Sequence, residues 1–454
     1  MTIVLRPIRL PDFDVPHARP EIPAEIYASR VDGAYVQAGK DWLVVYADRE
    51  HLANIAFLTG FEPRFEEALL ILGNGGRRVL VTGNESQSYA PLAGLPGLEV
   101  ALCQTLSLMG QTRAEKPNLE DVLGEIGLGR GDTIGLVGWK YLGPEEWRGP
   151  LPTFQVPAFI VDTLRAVAGD PKAVTDATSI LMHPENGLRA VVDVHEIAAM
   201  EWAAARASAA VWRVVQGARE GDNEFLAASR MGYAGEPLSC HVMFASASPG
   251  APVVGLRSPN GRTLKKGDGV TTAVGYWGGL SCRAGLFTDH DDAFLDLAKA
   301  YFKGLIAWYD VADIGVTGGE MFARVTEALN AGGIDQALNP GHLVGHDEWV
   351  HTPVRPNSTE KLRSGMPFQV DVIPVPMKDN WTLNHEDSVT FADGALRQQL
   401  KSTYPAVHAR IEARRAFIKD EIGVELKPCL LPMSHAPLAL PPFWLASDKI
   451  LTLK

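Results

Sequence analysis

The sequence is short of cysteine, of long apolar runs and of positive charge, and each shortage removes a class of protein. Four cysteines (Cys103, Cys240, Cys282 and Cys429) in 454 residues are too few and too scattered for a disulfide framework or a CxxC metal site. The longest apolar runs, such as Ala68–Gly73 and Leu43–Tyr46, have the length of strands and fall far short of a membrane span. A formal net charge of -12 argues against the basic face that nucleic acid requires. The opening Met-Thr-Ile-Val-Leu-Arg-Pro has no basic segment followed by an apolar core, so no secretory signal is expected. Fixed-period repeats and low-complexity tracts are missing too. The expectation is a cytoplasmic protein with no membrane or nucleic-acid partner, kept in solution by its acidic surface.

A hydrophobic content of 46% with 21% charged residues is ordinary for a globular chain. The length exceeds one core and predicts two domains plus an extension. The first third alternates strands and helices, as an α/β layered domain does. Asp41–Ala47 reads as a buried strand, and Asn54–Phe61 as a helix-to-strand corner. Ala68–Gly73 turns at Asn74-Gly-Gly into a returning strand at Arg78–Thr82, and Thr133–Gly138 is another strand. A boundary is expected near Gly169-Asp-Pro-Lys. From Val194 the spacing of Ile197, Met200, Ala204, Ala207 and Val211 predicts an Ala-rich helix, and Asp222 is a candidate cap for the helix after it. The expected division is 1–170, 171–400 and a C-terminal extension at 401–454.

Three segments of the C-terminal half carry chemistry. They are Gly-His-Leu-Val-Gly (Gly341 to Gly345), Gly-Met-Pro-Phe-Gln-Val-Asp (Gly365 to Asp371) and His-Glu-Asp-Ser-Val (His385 to Val389). In order and spacing these resemble the histidine, first-glutamate and last-glutamate segments of the creatinase / aminopeptidase P / prolidase family. The resemblance covers roughly residues 40–395. It implies a creatinase-like N-terminal α/β domain, a C-terminal pita-bread domain of α+β type, and a homodimer. It also implies a site built for two metal ions by two Asp, one His and two Glu. The segment that should carry both aspartates, Gly267 to Phe287, departs from this pattern. Ala273 stands where the first belongs, and Cys282, or Ala284 under another gap placement, where the second belongs. Asp371 replaces a glutamate and is one methylene shorter. The two proton-handling histidines of the peptidases fall by spacing on Leu256 and Trp349.

The candidate catalytic residues are therefore His342, Asp371, Glu386 and Cys282. His342 lies between flexible glycines, which let backbone crowd a buried site. Asp371, inside an apolar strand, must be paired or part of a site. Glu386 is a strand carboxylate, and Cys282 is either a cavity-facing thiol or a small buried hydrophobe. Candidate substrate-binding residues are His241, Trp349, Arg64 (reaching a partner's site, as the resemblance implies) and Arg283, whose cation could stabilise an oxyanion. Cys240 and His241 alternate to opposite faces of a strand and make no nucleophile pair. The run His346-Asp-Glu, with His351 beyond it, is either part of the site or a solvated loop.

The function expected is hydrolysis of a C–N bond in a small amide- or amidine-type molecule, with no cofactor and no metal. Three other readings stay open. One is an Xaa-Pro peptidase-like enzyme holding a single divalent metal at His342, Asp371 and Glu386. Another is a non-catalytic module that binds peptides or proteins. The third is a lyase using a well-placed carboxylate base.

Overall fold

The computed structural model describes residues 2–454. The chain forms two compact units, Ile22–Ala190 and a second that combines Met1–Glu21 with Val191–Lys454. Strand β1 (Ile3–Pro7) belongs to the second unit, because it pairs antiparallel with the last strand of the chain.

The unit Ile22–Ala190 is built on one mixed sheet. Its strands are β2 (Trp42–Ala47), β3 (Ala68–Gly73), β4 (Arg77–Thr82), β5 (Glu99–Leu102), β6 (Ile134–Val137) and β7 (Val174–Asp176), in the order β5-β4-β3-β2-β6-β7. The expected β3–β4 hairpin is present, turning at Asn74–Gly76. Strands β2 and β3 read as unbroken apolar runs because both faces are covered, which is why neither alternates. Leu69, Ile71, Val79 and Val81 pack with Leu119, Leu123, Ile160 and Leu164. Truncating one of these, Leu164→Ala for example, removes on the order of 2–5 kcal/mol. The expected corner at Asn54–Phe61 is a helix, Ala53–Thr59, ended by Gly60 in the left-handed region, with no strand directly after it.

The second unit carries β8 (Leu238–Ala247), β9 (Asp268–Tyr276), β10 (Gly279–Phe287), β11 (Asp335–Gln336), β12 (His342–Leu343), β13 (Pro367–Asp371), β14 (Pro374–Val375), β15 (Asn384–Phe391), β16 (Leu430–Pro432) and β17 (Lys449–Leu453). The main sheet runs β12-β13-β15-β10-β9-β8, and β16 pairs with the end of β15. The helix Val194–Gly217 starts where its apolar spacing begins. Asp193 caps it by accepting from the amides of His195 and Glu196. The alanines let it come against β10: a Cβ on Gly279 would lie 2.5 Å from the Ala204 nitrogen. The helix after it is capped by Asn223, which accepts from Leu226 N. Asp222, the expected cap, instead accepts from Arg219 N and pairs with Arg230 at 2.8 Å.

The units differ from the expected division, and hydrogen bonding gives the reason. β7 lies beyond the boundary expected near Gly169, yet it pairs in parallel with β6 and completes the first sheet. The tail 401–454 is no separate extension. Val407 and Ile411 pack with Ile197 of the long helix, β16 extends the main sheet, and β17 pairs with β1. Among the described residues, no helix is long and apolar enough to cross a membrane.

Candidate functional site

Strand register places one row of side chains across the main sheet. Met243 stands opposite Ala273, Ala273 opposite Cys282, Cys282 opposite Glu386, and Glu386 opposite Asp371. Side chains alternate between the faces of a sheet, so residues in register share a face. These five residues are 4–8 % exposed, whereas their neighbours Thr272, Val274, Arg283, His385, Asp387, Val370 and Val372 are 0–2 % exposed.

His342 joins this row from β12, where it pairs with Gln369. Gly341 before it adopts φ +118°, and a Cβ there would sit 2.9 Å from the Gln369 carbonyl oxygen, so glycine is required. The loop beyond His342 folds back. Leu343 N donates to the His351 carbonyl at 2.7 Å, and Val350 N to the Leu343 carbonyl at 3.0 Å. This closure lays Trp349 on the imidazole, with ring centroids 4.1 Å apart and planes 20° apart. It also brings Glu348 Oε1 to 3.0 Å from His342 Nε2, a contact close enough for an ion pair but not aligned as a hydrogen bond. Nδ1 of the same ring donates to the Leu343 carbonyl at 3.3 Å. The run His346-Asp-Glu is thus part of the site's wall: His346 is buried, edge-on to Trp277 at 4.0 Å and 3.7 Å from Glu196.

Three carboxyl groups meet here with one imidazole. Burial pushes Asp371 well above the ordinary carboxylate range, the charges of Glu386 and Glu348 push it further, and a hydrogen bond that its protonated form would donate to Glu386 adds to this. Burial, then the charge of Glu348, push Glu386 up to about 7, against a donor bond from Asn384 Nδ2 at 2.7 Å and the nearby His342. Two carboxyl groups can hydrogen-bond only if a proton lies between them. The second Asp371 oxygen, Oδ1, has no hydrogen-bond partner among the described residues.

The other end of the row is apolar. Met243, Ala273, Leu280 and Cys282 pack as one cluster with half-buried Cys240 beside it. Burial and the charge of Glu386 push the Cys282 thiol well above its usual value, and Thr271 Oγ1 lies 3.7 Å from its sulfur. A thiol held protonated is a poor nucleophile. The resemblance implies two metal ions, but this donor set does not fit them. Ala273 supplies no donor, and Cys282 supplies a neutral thiol. Among the described residues no three His, Cys, Asp or Glu side chains are grouped so as to hold an ion.

Of the expected substrate-binding residues, only Trp349 meets the site. Arg283 projects to the opposite face, and its guanidinium is fully engaged. It donates to the carbonyls of Ala439 (2.9 Å), Cys282 (2.8 Å), Glu386 (3.0 Å) and Ala436 (2.6 Å), and to Asp387 Oδ1 (2.9 Å). It anchors the C-terminal segment rather than facing substrate. His241 is exposed and its Nε2 donates to the Leu256 carbonyl at 3.1 Å. Arg64 lies in the unit Ile22–Ala190, half-exposed and paired with Glu62 at 2.6 Å. The residues that sequence reasoning missed as partners are Glu348 and Asn384. Glu348 reaches His342 only through the loop closure, while Asn384 could have been found two residues before Glu386 on the same strand face. An open hollow of about 740 Å³ in the other unit is lined largely by surface charges such as Glu115, Lys116, Glu120 and Arg130 and gathers no comparable constellation.

No protein-family model matches the sequence, and no curated protein matches it. Solved structures do. The dipeptidase PepE from Mycobacterium ulcerans aligns with 20% identity and a TM-score of 0.59, covering 82% of this chain and 95% of its own. A recombinant prolidase from Thermococcus sibiricus aligns with 17% identity and a TM-score of 0.63, over 82% of this chain and 95% of its own. The X-Pro aminopeptidase from Thermotoga maritima aligns with 16% identity and a TM-score of 0.59, over 79% and 95%. At these identities the likeness is one of fold. The chain has the mixed α/β, pita-bread fold of prolidases and aminopeptidase P, and across its central row of strands it carries Ala273, Cys282, Glu386 and Asp371.

Proposed function

We propose that this chain hydrolyses a C–N bond in a small amide- or amidine-type molecule, using a carboxyl pair where metal ions would otherwise sit. The observation that carries the reading is the register that sets buried Asp371 opposite buried Glu386, with Cys282 and Ala273 in line beyond them. One proton on two carboxyl groups supplies an acid and a base side by side. Glu386, as carboxylate, takes a proton from the attacking water. The water oxygen bonds to the carbonyl or amidine carbon, and the C–N bond breaks. Asp371 delivers its proton to the departing nitrogen, and the proton that Glu386 took from the water leaves the pair again with one. His342, held by Glu348 and Trp349, presents an N–H to the oxygen or nitrogen on which charge develops. The test is a screen of small amides and amidines with chelator present. Turnover that persists under exhaustive chelation and is lost in Glu386→Gln supports the proposal. Activity that vanishes on chelation and returns with Mn, Zn or Co overturns it.

A second reading is an Xaa-Pro peptidase-like enzyme with a single metal. It is favoured by the placement of His342, Asp371 and Glu386 on the neighbouring strands β12, β13 and β15 and by the fold shared with the dipeptidases and aminopeptidases above. It requires Asp371 and Glu386 to give up their proton and His342 to turn from Glu348. Stoichiometric metal in the purified protein distinguishes it.

A further inference from the structure

We infer that the apolar half of the row is a subsite for a hydrocarbon group of the substrate, attached to the carbon that is attacked at Asp371 and Glu386. The inference rests on the hydrolase reading and adds the class of molecule that the site selects. Met243, Ala273, Leu280 and Cys282 pack as one apolar cluster, a wall in line with Glu386 and Asp371, with half-buried Cys240 beside it. It offers no charge. Its one polar side chain is the Cys282 thiol, which is held neutral and already contacts Thr271. A charged or strongly hydrated substituent placed here would lose water and gain no partner. An alkyl or aryl group would bury its surface against four apolar side chains.

Register sets the reach of this wall. Cys282 lies one strand from Glu386, Ala273 two and Met243 three. At about 4.8 Å between strands, the wall extends roughly 14 Å sideways from the carboxyl pair. That is room for a short chain or one aromatic ring, bonded directly to the reacting carbon. At the other end, the unpartnered Oδ1 of Asp371 and the loosely engaged Nε2 of His342 are the polar atoms that would meet the amide or amidine group. The substrate class is thus an uncharged alkyl or aryl amide, or the matching amidine, with its apolar side toward Ala273.

The experiment is calorimetric titration of the full chain with acetamide, butyramide and hexanamide, with turnover of the same amides measured separately. Affinity is expected to rise by about fourfold per added methylene until the subsite is filled. Ala273→Asp should abolish this dependence on chain length. Ala273→Leu, which keeps the wall apolar but shortens it, should keep a rising series that stops gaining at a shorter chain. A flat series, or no binding at any length, overturns the subsite. A rising series without hydrolysis keeps the subsite and defeats the hydrolase reading. Hydrolysis with a flat series does the reverse.

Discussion

Asp371 and Glu386 stand in register across β13 and β15, two buried carboxyl groups side by side, and on the proposed reading they share one proton. Two buried carboxylates side by side need a cation or a proton, and the neighbouring positions, Ala273 and Cys282, provide no further ligands for a cation. The pair therefore titrates as a unit, with His342 and Glu348 setting its surroundings.

The pH dependence follows from Glu386. Its carboxyl is pushed up to about 7, and that of Asp371 is raised well above the ordinary carboxylate range. The kcat/KM for the amide or amidine substrate should rise with pH and level off above about 7. Glu386→Gln should remove that limb and lower kcat by roughly 100- to 10,000-fold. A limb near pH 4, the ordinary carboxylate value of about 4.3, contradicts the shared proton.

Stability should carry the same signature. The folded-state value of Asp371 is raised, so the folded protein holds this proton more tightly than the unfolded chain. That contribution is fully present below the unfolded value of about 4 and is lost as pH rises through the folded one. Asp371→Asn removes the titrating group and keeps a hydrogen-bonding side chain beside Glu386. Urea midpoints at about pH 5 and pH 8 should differ less in the variant than in the wild type. Equal differences in both proteins would show that Asp371 is ionised throughout.

Arg283 is expected to matter for folding rather than for substrate. Its guanidinium and Asp387 are both buried, and burial costs are offset only while they stay paired. Arg283→Met leaves the Asp387 charge beside His385 alone and should cost about 3–5 kcal/mol in urea unfolding. Adding Asp387→Asn should recover part of this. A loss under about 0.5 kcal/mol would mean that the network carries no weight.

Restoring carboxylates to the row should change what it binds. In the double variant Ala273→Asp, Cys282→Asp, four carboxyl groups would be adjacent, and protons alone satisfy them poorly. Co or Mn should raise the melting temperature of this variant and leave the wild type unmoved. An equal response in both would place a metal site in the natural sequence.

How much of this was legible in the sequence varies with the distance over which the cause acts. His342, Asp371 and Glu386 could be named because each sits in a short segment that resembles, in order and spacing, a segment of the creatinase / aminopeptidase P / prolidase family. Arg283 was misplaced although its position was accessible to reasoning: if Cys282 faces the cleft, period-two alternation sends Arg283 to the other side. Glu348 could not be separated from a solvated loop, because its place depends on the bridge from Leu343 to His351. The unit boundaries were obscured for a similar reason. The pairing of β1 with β17 joins the two ends of the chain, and no local pattern announces it.

Whether a proton or a metal lies between Asp371 and Glu386 is decided most directly by elemental analysis. The protein should be purified without a histidine tag, and amide hydrolysis followed before and after chelation. The expected result is far less than one divalent ion per chain, with hydrolysis unchanged by chelator. About one ion per chain, with activity lost on chelation and restored by Mn, Zn or Co, would contradict the shared-proton site and make His342, Asp371 and Glu386 metal ligands.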